Sequence, residues 1–440
     1  MPAEELHGAV SALAGDTIAS ARWFGGKAES VGRVELVGSL GPFEDEWLLA
    51  VRVGSDTYLV PAAIRDGHVV EAEGPLWRAL AAACLGGRAL AGDGVALAGT
   101  AGPAPAVRPA EVVRPLGADQ SNTSVVLGER LVLKCYRRLW PGEHPEIELT
   151  RALGSRGLAC LPAVRGSATV SLAGGVSAGA LLLQDFVPEA RDGWLTTRAE
   201  LGALLDAGDV ADAGRPAAWA WDAGEATAEL HALLAATDEP GLRPRRATAE
   251  EQAALVEAAS AQLDEALRLL DGAIGAEVAA AAPALRARFA LFAEVAPPLY
   301  TRVHGDLHLG QFLFRGPEPP KLVDLEGEPT KDAAERRALA SPMRDLAGLL
   351  RSVDHAGHWV CRRRNEDAGP VARAWIASRR NSIRSAYERR LAELDSPLRV
   401  DGRLLEAFEA EKAVYEFVYA ARFLPSWLDV PRGALDSAVA

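Results

Sequence analysis

The chain has little of what membrane, secreted and nucleic-acid-binding proteins need. No apolar run reaches the roughly 18 residues that cross a bilayer, and the first residues lack the basic start and apolar core of a signal peptide. The four cysteines are scattered without a Cys-x-x-Cys pair, as expected of reduced thiols. The formal charge is −13, from 47 basic and 60 acidic residues, which argues against a nucleic-acid partner. We therefore expect a soluble, cytoplasmic protein.

Three regions follow one another along the 440 residues, a length that exceeds what one core organises. Residues 1–108 are predicted to form an N-terminal domain, with the Gly- and Pro-rich stretch 99–105 as a linker. Residues 109–187 contain strands and one helix, and residues 188–440 are mostly helical. The sequence therefore predicts an α+β protein with a strand-rich and a helical part.

The elements behind this division are read from alternating apolar runs, turn residues and helix formers. Predicted strands are 47–53, 57–61, 123–127, 131–136, 164–172 and 180–183. Predicted helices are 75–85, 145–153, 247–270 and one that begins with Ser341 as N-cap and Pro342 as first helical residue.

The stretch from His304 to Gln311 is the most informative of the chain. It contains Asp306, an amide five residues later at Gln311, and a second acid, Asp324, after a short apolar run. Protein kinases space their catalytic Asp, an Asn and a metal-binding Asp in this way. We expect Asp306 to deprotonate the attacking hydroxyl, and Gln311 and Asp324 to hold Mg²⁺ on the phosphates of ATP.

The second region supplies the groups that such an enzyme needs for its nucleotide. A loop rich in small polar residues precedes a hairpin and could lie over the phosphates. Lys134 ends a strand and could contact them, with Glu146 or, preferably, Glu148 of the next helix as its acidic partner. The segment at Gln184 and Phe186 could bind adenine through its backbone. The predicted ATP-binding residues are Ser121, Asn122, Thr123, Ser124, Lys134, Glu148, Gln184 and Phe186.

Other interpretations of the same residues remain open. His304, His308 and Asp324 could instead ligate zinc, although a zinc hydrolase would leave Gln311 and Lys134 unexplained. The polar loop could be an ordinary turn. His304 could brace the loop. A nucleotide-binding pseudoenzyme that docks a partner is disfavoured because base, metal ligands and lysine are all present.

The chain resembles the bacterial maltokinases, which are aminoglycoside-phosphotransferase-like kinases. The resemblance runs nearly end to end, through the segments 22–27, 121–124, 134–138, 145–148, 192–194, 304–311, 324–329 and 341–348. It implies a bilobal, eukaryotic-protein-kinase-like fold with an N-terminal cap domain, and ATP-dependent phosphorylation of a sugar. It also implies Asp306 as base, Gln311 and Asp324 as magnesium ligands, and Lys134 as the phosphate-binding lysine.

The substrate is predicted only as a choice between sugars. The helix around Tyr415 and Glu416 resembles the sugar-side helix of that family, although it could equally be a packing helix. The run from Phe423 to Trp427 and the stretch at Asp354 are closer to the related actinobacterial glucosamine kinases. A bulky apolar pair there could close the pocket at one sugar ring, and a carboxylate could pair with a substrate ammonium. Maltose is the first expectation, with glucosamine, converted to glucosamine 6-phosphate, as the alternative and an aminoglycoside as a further one. Predicted substrate-binding residues are His304, Asp306, Arg344, Tyr415, Glu416, Tyr419 and Trp427.

Overall fold

A computed structural model describes residues 6, 8, 10, 34–65, 68–104, 112–117, 122–154, 156–328, 331–366 and 369–435. The chain divides into two compact units. The first consists of Met1–Gly157 and Pro162–Pro188, and the second of Leu158–Leu161 and Glu189–Ala440. Helices and strands both occur, so the predicted α+β class is confirmed. The division into three domains stays a prediction.

The first unit is built mainly from antiparallel strands. They form sheets with the orders β1-β2-β3-β4 and β5-β6-β10-β11-β9-β8-β7. The strands are β1 (Val34–Phe43), β2 (Glu46–Val53), β3 (Asp56–Arg65), β4 (His68–Glu71), β5 (Ala89–Ala91), β6 (Val95–Ala101), β7 (Val113–Pro115), β8 (Thr123–Leu127), β9 (Leu131–Cys135), β10 (Val164–Leu172) and β11 (Ser177–Asp185). The helices are α1 (Pro75–Gly86) and α2 (Pro145–Gly154).

The predicted linker at 99–105 is wrong over its first residues, because Gly99 lies inside β6. This strand pairs with β10, whose residues we had placed in the second region. A Cβ on Gly99 would lie 2.1 Å from the carbonyl oxygen of Ala83 in α1. The glycine therefore lets α1 pack closely on the strand. The predicted boundary at residue 108 lies outside the described residues.

A buried acid fixes the start of α1. Glu46, which is 1% exposed, accepts hydrogen bonds from the N–H groups of Glu73, Gly74 and Leu76 at 2.7, 3.0 and 2.8 Å. The first N–H groups of a helix have no partner within it, and Gly74 has no side chain to cap them. The negative charge also suits the positive end of the helix dipole. Trp77 and Leu80 of this helix then bury their side chains in the core of the first unit.

The second unit is mainly helical, as predicted. The helices are α3 (Gly193–Ala207), α4 (Val210–Ala213), α5 (Ala218–Ala235), α6 (Ala249–Leu269), α7 (Gly272–Glu294), α8 (Ala333–Arg337), α9 (Met343–Arg363), α10 (Pro370–Glu393), α11 (Gly402–Phe423) and α12 (Asp429–Gly433). The strands are β12 (Arg191–Asp192), β13 (Arg245–Arg246), β14 (Leu299–Tyr300), β15 (Phe312–Arg315) and β16 (Glu318–Leu322). Among the described residues, no helix combines the length and the apolar composition that crossing a bilayer requires.

Helix α9 positions the rest of the site. It packs against α10, α11 and α3, and it begins one residue later than predicted. Pro342 occupies the N-cap position, while the Ser341 hydroxyl accepts from the N–H of Met343 at 3.3 Å. Helix α6 starts at a capping box in which Thr248 and Glu251 bond each other's backbone N–H groups.

Candidate active site

The loop that carries Asp306 is hydrogen-bonded to the first turn of α9. The buried carboxylate of Asp345 accepts from the N–H of His304 at 2.6 Å and from the N–H of Gly305 at 2.9 Å. It also accepts from Nε2 of His231 at 3.1 Å, and the Tyr387 hydroxyl lies 2.9 Å from the other ring nitrogen. Burial alone would raise the pKa of Asp345, but the His231 hydrogen bond and the loop N–H groups outweigh it and hold the pKa below its usual value.

The loop also rests on the body of the same helix. The N–H of Leu309 donates to the Ser352 hydroxyl at 3.0 Å. A Cβ on Gly348 would lie 2.7 Å from the carbonyl oxygen of Leu307, so a glycine is needed for the loop to approach α9. Asp306 lies between the contacts at Gly305 and Leu307. Its carboxylate is thus presented from a backbone that is fixed on both sides.

His304 is a structural residue of this loop. Its side chain is fully buried, and Nε2 lies 3.0 Å from the carbonyl oxygen of Val323, to which it can donate. This contact ties the loop to the residue before Asp324. It agrees with a bracing role, and a contact of His304 with the substrate stays a prediction.

Gln311 and Asp324 meet at the end of the loop. Asp324 has a positive φ of 68°, which turns the chain after β16. Nε2 of the Gln311 amide donates to Oδ2 of Asp324 at 3.3 Å and lies 3.3 Å from Nε2 of His308. Nδ1 of His308 accepts from the N–H of Gly310 at 3.0 Å. Burial lowers the pKa of His308, partly offset by Asp306, which favours the neutral ring with its proton on Nε2.

The proton on His308 decides how the Gln311 amide is turned. With a proton on Nε2 of His308, that N–H and the amide NH₂ would be two donors facing each other. Turning the amide by 180° places its oxygen opposite the ring N–H. The oxygen of the turned amide then faces the Asp324 carboxylate. A cation bound between these two oxygens would offset their repulsion. Amide and carboxylate oxygens are ligands that Mg²⁺ accepts. The residues therefore fit the predicted metal.

The zinc alternative receives no support from the geometry. Over the part of the chain that the structure describes, no three His, Cys, Asp or Glu residues lie where they could hold one metal ion. One nitrogen of each histidine is also engaged, since Nε2 of His304 contacts a carbonyl and Nδ1 of His308 accepts from an N–H.

A cavity of about 530 Å³ opens beside Asp306 in the second unit, a volume typical of small-molecule sites. Its walls come from β12, α3, the catalytic loop, α9, α11 and the segment after α11. Lining residues include Asp192, Trp194, Asp306, His308, Gly348, Ser352, His355, Lys412, Tyr415, Glu416, Tyr419, Leu424 and Trp427. Five of the predicted substrate residues are among them: Asp306, Tyr415, Glu416, Tyr419 and Trp427.

Arg344 and Asp354 are placed elsewhere than predicted. Arg344 does not line this cavity, and its guanidinium lies 3.1 Å from the carboxylate of Glu328. Asp354 is 1% exposed and pairs with Arg380 at 2.8 Å. A buried carboxylate that an arginine already neutralises is a poor partner for a substrate ammonium. The stretch around Asp354 contributes His355 to the cavity instead.

Glu416 is a buried acid on the cavity wall. Its Oε2 lies 2.7 Å from Nη2 of Arg351 and 2.9 Å from Nε2 of His355. Burial alone would raise the pKa of Glu416, but Arg351 and the contact with His355 lower it to about 2. The carboxylate is therefore ionised at neutral pH.

The first unit contains the predicted lysine with an acidic partner. Nζ of Lys134 lies 2.7 Å from Oε2 of Glu146, which also accepts from the Tyr136 hydroxyl at 2.7 Å. Glu148 is the partner preferred from the sequence, whereas this ion pair uses the other candidate, Glu146. Residues two apart on a helix lie about 200° apart around its axis, and Glu146 is on the side of Tyr136. The nucleotide role of Glu148, which is also buried, stays a prediction.

The predicted phosphate loop is shorter than expected. Thr123 and Ser124 already belong to β8, where Ser124 lies opposite Lys134, and the Thr123 hydroxyl accepts from Nε of Arg137 at 2.7 Å. Asn122 lies just before the strand. Ser121, the segment 22–27 and Pro329 lie outside the described residues.

The predicted adenine segment is also partly strand. Gln184 lies within β11, which extends to Asp185. The N–H of Asp185 donates to Ala163 O and the N–H of Phe186 donates to Arg130 O, at 2.9 and 2.8 Å. These two donors are therefore used within the first unit. Gln184 and Phe186 stay predicted nucleotide-binding residues. The backbone N–H groups of Asp185 and Phe186 are already used and are not counted as donors to adenine.

Several residues of the site were missed. Asp345 bonds the loop from 41 residues beyond His304, and His231 bonds Asp345 from 114 residues before it. No local sequence pattern reveals contacts over such separations. Lys412 is not among the residues predicted from the sequence. The signal that could have found it is helical periodicity, because Lys412, Tyr415, Glu416 and Tyr419 are spaced as one helix face.

Comparisons with known proteins agree with this geometry. The model of the phosphotransferase enzyme family (APH) matches residues 112–394, more than half of the chain. A glucosamine kinase of Streptacidiphilus jiangxiensis is 35% identical over 322 residues, covering 71% of this chain and 70% of the relative. A glucosamine kinase of Mycolicibacterium smegmatis is 30% identical over 335 residues, covering 74% and 79%.

Solved structures give the same result. A glucosamine kinase structure superposes with a TM-score of 0.76 at 28% identity, over 98% of this chain and 99% of that one. Another, in complex with glucosamine, ADP and inorganic phosphate, gives 0.71 at 28% identity over 97% and 99%. The predicted kinase-like fold and the predicted enzyme class, an ATP-dependent carbohydrate kinase, are confirmed. The chain belongs to the phosphotransferase enzyme family.

Proposed function

We propose that this chain is an ATP- and Mg²⁺-dependent glucosamine kinase that forms glucosamine 6-phosphate. The observation that carries the proposal is the charge of the cavity beside Asp306. Three carboxylates line it, those of Asp192, Asp306 and Glu416. Arg351 offsets the charge of Glu416, which leaves Asp192 and Asp306 against one lysine, Lys412. The similarity to two glucosamine kinases supports the same substrate and gives maltose, our first expectation, no support.

The charge favours an amino sugar over a neutral one. A protonated 2-amino group brings one positive charge into a cavity whose walls carry a negative excess, and opposite charges a few ångströms apart favour binding. Glu416 adds little to this excess, because the Arg351 guanidinium lies 2.7 Å from its carboxylate. Maltose offers only hydroxyl groups and would gain nothing from this excess.

Aromatic rings supply the apolar part of the cavity. The Trp194 and Trp427 rings stack with their centres 6.2 Å apart, and the Tyr415 and Tyr419 rings stack at 6.0 Å. Large rigid rings provide contact area at a low entropic cost. The C–H faces of a pyranose ring can lie against them while its hydroxyls reach the carboxylates.

The chemistry follows from the residues in place. The 6-hydroxyl donates its proton to Asp306, its oxygen forms a bond to the γ-phosphorus of ATP, and the bond from that phosphorus to the β–γ bridging oxygen breaks, releasing ADP. Lys134, oriented by Glu146, contacts the phosphates. Gln311 and Asp324 would hold Mg²⁺, which supplies positive charge to the phosphates when bound.

The test is ATP consumption with Mg²⁺ against glucosamine, N-acetylglucosamine, glucose, maltose and an aminoglycoside. We expect glucosamine to be preferred by kcat/KM, and Asp306→Asn to lose turnover while it still binds ADP. Asp264→Asn, which removes an exposed acid paired with Arg286, is the control and should keep full activity. Preference for maltose, or normal turnover by Asp306→Asn, would overturn the proposal. ATP binding without turnover of any sugar would favour a pseudoenzyme.

A further inference from the structure

Lys412 brings an ammonium group to the wall of the cavity beside Asp306. Its Nζ lies 4.0 Å from Oδ1 of Asp306 and 4.4 Å from the centre of the Tyr415 ring. We propose that Lys412 is a catalytic residue, which binds the phosphoryl group while it passes from ATP to the sugar. The proposal rests on the sugar-kinase function proposed above and adds a residue to its chemistry.

The ammonium is placed near the base without being bonded to it. A separation of 4.0 Å is too long for a hydrogen bond, and Lys412 Nζ makes none within the part of the chain that the structure describes. Its side chain is 28% exposed. Its three N–H donors therefore lie at a partly desolvated cavity, and no acceptor among the described residues is within hydrogen-bond distance of them. A ligand with several acceptor oxygens would satisfy them.

Neighbouring cations are already neutralised. Arg344 and Lys331 lie 3.1 and 3.5 Å from the same carboxylate, that of Glu328. Burial lowers the pKa of Lys331, and Arg344 adds to that effect. These two side chains serve the protein's own charge balance. Lys412 differs from them because its nearest acid is the catalytic base.

Helix α11 fixes the position of Lys412. Residues 412, 415, 416 and 419 recur at the spacing of one helix face, and all four line the cavity. Glu416, one turn after Lys412, is anchored by Arg351 on α9. The centre of the Tyr415 ring lies 4.4 Å from the ammonium nitrogen, which is within cation–π distance. The cation is thus held in place by its helix and by its neighbours.

The geometry of the transfer step brings the phosphoryl group to this cation. A hydroxyl that donates to Asp306 lies about 2.6–3.2 Å from its carboxylate. The attacked phosphorus lies about 3–3.5 Å from that hydroxyl oxygen. As the bond from the hydroxyl oxygen to phosphorus forms and the bond to the leaving ADP oxygen breaks, negative charge is spread over the phosphoryl oxygens. An ammonium 4.0 Å from the same carboxylate is within reach of them.

The experiment compares Lys412→Met and Lys412→Arg with Arg422→Met. Arg422 is an exposed residue of the same helix that pairs with Glu265, so its loss should leave activity unchanged. Loss of a preorganised donor at a developing charge lowers kcat by about 10²- to 10³-fold. We expect that loss in Lys412→Met with little change in KM for glucosamine, and partial recovery in Lys412→Arg.

A binding measurement tests the same point without turnover. ADP with aluminium fluoride and glucosamine mimics the transferring phosphoryl group. We expect Lys412→Met to bind this mixture more weakly by the factor seen in kcat and to bind ADP alone as the wild type does. A circular dichroism melt that matches the wild type shows that the variant is folded.

If the wild type phosphorylates the sugar, three results would overturn the proposal about Lys412 and leave the proposed function intact. The first is a normal kcat in Lys412→Met, and the second is a raised KM for glucosamine with kcat unchanged, which would make Lys412 a sugar-binding residue. The third is a kcat that returns to the wild-type value at higher pH, which would reduce Lys412 to a charge partner of Asp306. A wild type that phosphorylates no sugar would overturn the proposed function as well.

Discussion

Replacing Asp345 by Asn tests how the catalytic loop is held. The carboxylate accepts two loop N–H groups and the His231 side chain, all in a buried setting. Asn keeps one acceptor oxygen, but its NH₂ group would face at least one of these donors. Hydrogen bonds to a charged group contribute about 1.5–3 kcal/mol each, and breaking a buried ionic contact costs about 3–5 kcal/mol. We expect a loss of about 3–5 kcal/mol in the free energy of unfolding.

Urea unfolding of Asp345→Asn beside the wild type measures this loss. The surface variant Asp264→Asn should lose at most about 1 kcal/mol. Because the loop carries Asp306, we also expect kcat to fall more than KM for the sugar changes. A loss of less than about 1 kcal/mol in Asp345→Asn, with normal kcat, would refute the reasoning.

The same pair of proteins should differ with pH in a defined direction. The pKa of Asp345 in the folded protein lies below its usual value of about 3.9. Its ionised form therefore stabilises the fold at any pH above about 4, and the contribution is lost as the pH falls through the lower, folded-state pKa. The stability gap to Asp345→Asn should be full at pH 7 and should shrink only below about pH 4. A gap that closes between pH 7 and pH 5 would contradict this sign.

Three further predictions concern the nucleotide, the metal and the sugar. Glu146→Gln should raise KM for ATP or lower kcat by about tenfold or more, because Lys134 loses a charge-assisted hydrogen bond of at least about 1.5 kcal/mol. The control Glu143→Gln removes an acid from an exposed ion pair and should change neither KM nor kcat. Removal of divalent ions with EDTA should abolish turnover, and added Mg²⁺ should restore it. Asp324→Asn should need a higher Mg²⁺ concentration for half-maximal turnover. Turnover in EDTA would contradict a metal requirement. Trp427→Ala should raise KM for glucosamine about three- to tenfold, and an unchanged KM would place the sugar elsewhere.

The parts of the site that lie close together in sequence could be predicted. Asp306 and Gln311 are five residues apart on one loop, and Asp324 follows a short hairpin, so spacing alone indicates their chemistry. Lys134 could be predicted because a strand lysine followed by a helix with acids is a local pattern. The choice between Glu146 and Glu148 could not, because it depends on which helix face meets Tyr136.

The parts that depend on long-range packing could not be predicted. Asp345 contacts the loop 40 and 41 residues before it, and only the folded chain brings the two together. Arg344 precedes Asp345 in sequence, but its side chain forms an ion pair with Glu328. Gly99 looked like part of a linker because composition does not distinguish a mobile glycine from one on which a helix packs.

The most direct test of the account is a ³¹P NMR time course of the wild type with ATP, Mg²⁺ and glucosamine, with maltose in a parallel sample. The proposed function predicts that ADP and one phosphomonoester of glucosamine appear in equal amounts, and that the maltose sample stays nearly unchanged. A phosphorylated product with maltose but not with glucosamine, or release of inorganic phosphate in place of a sugar phosphate, would contradict it.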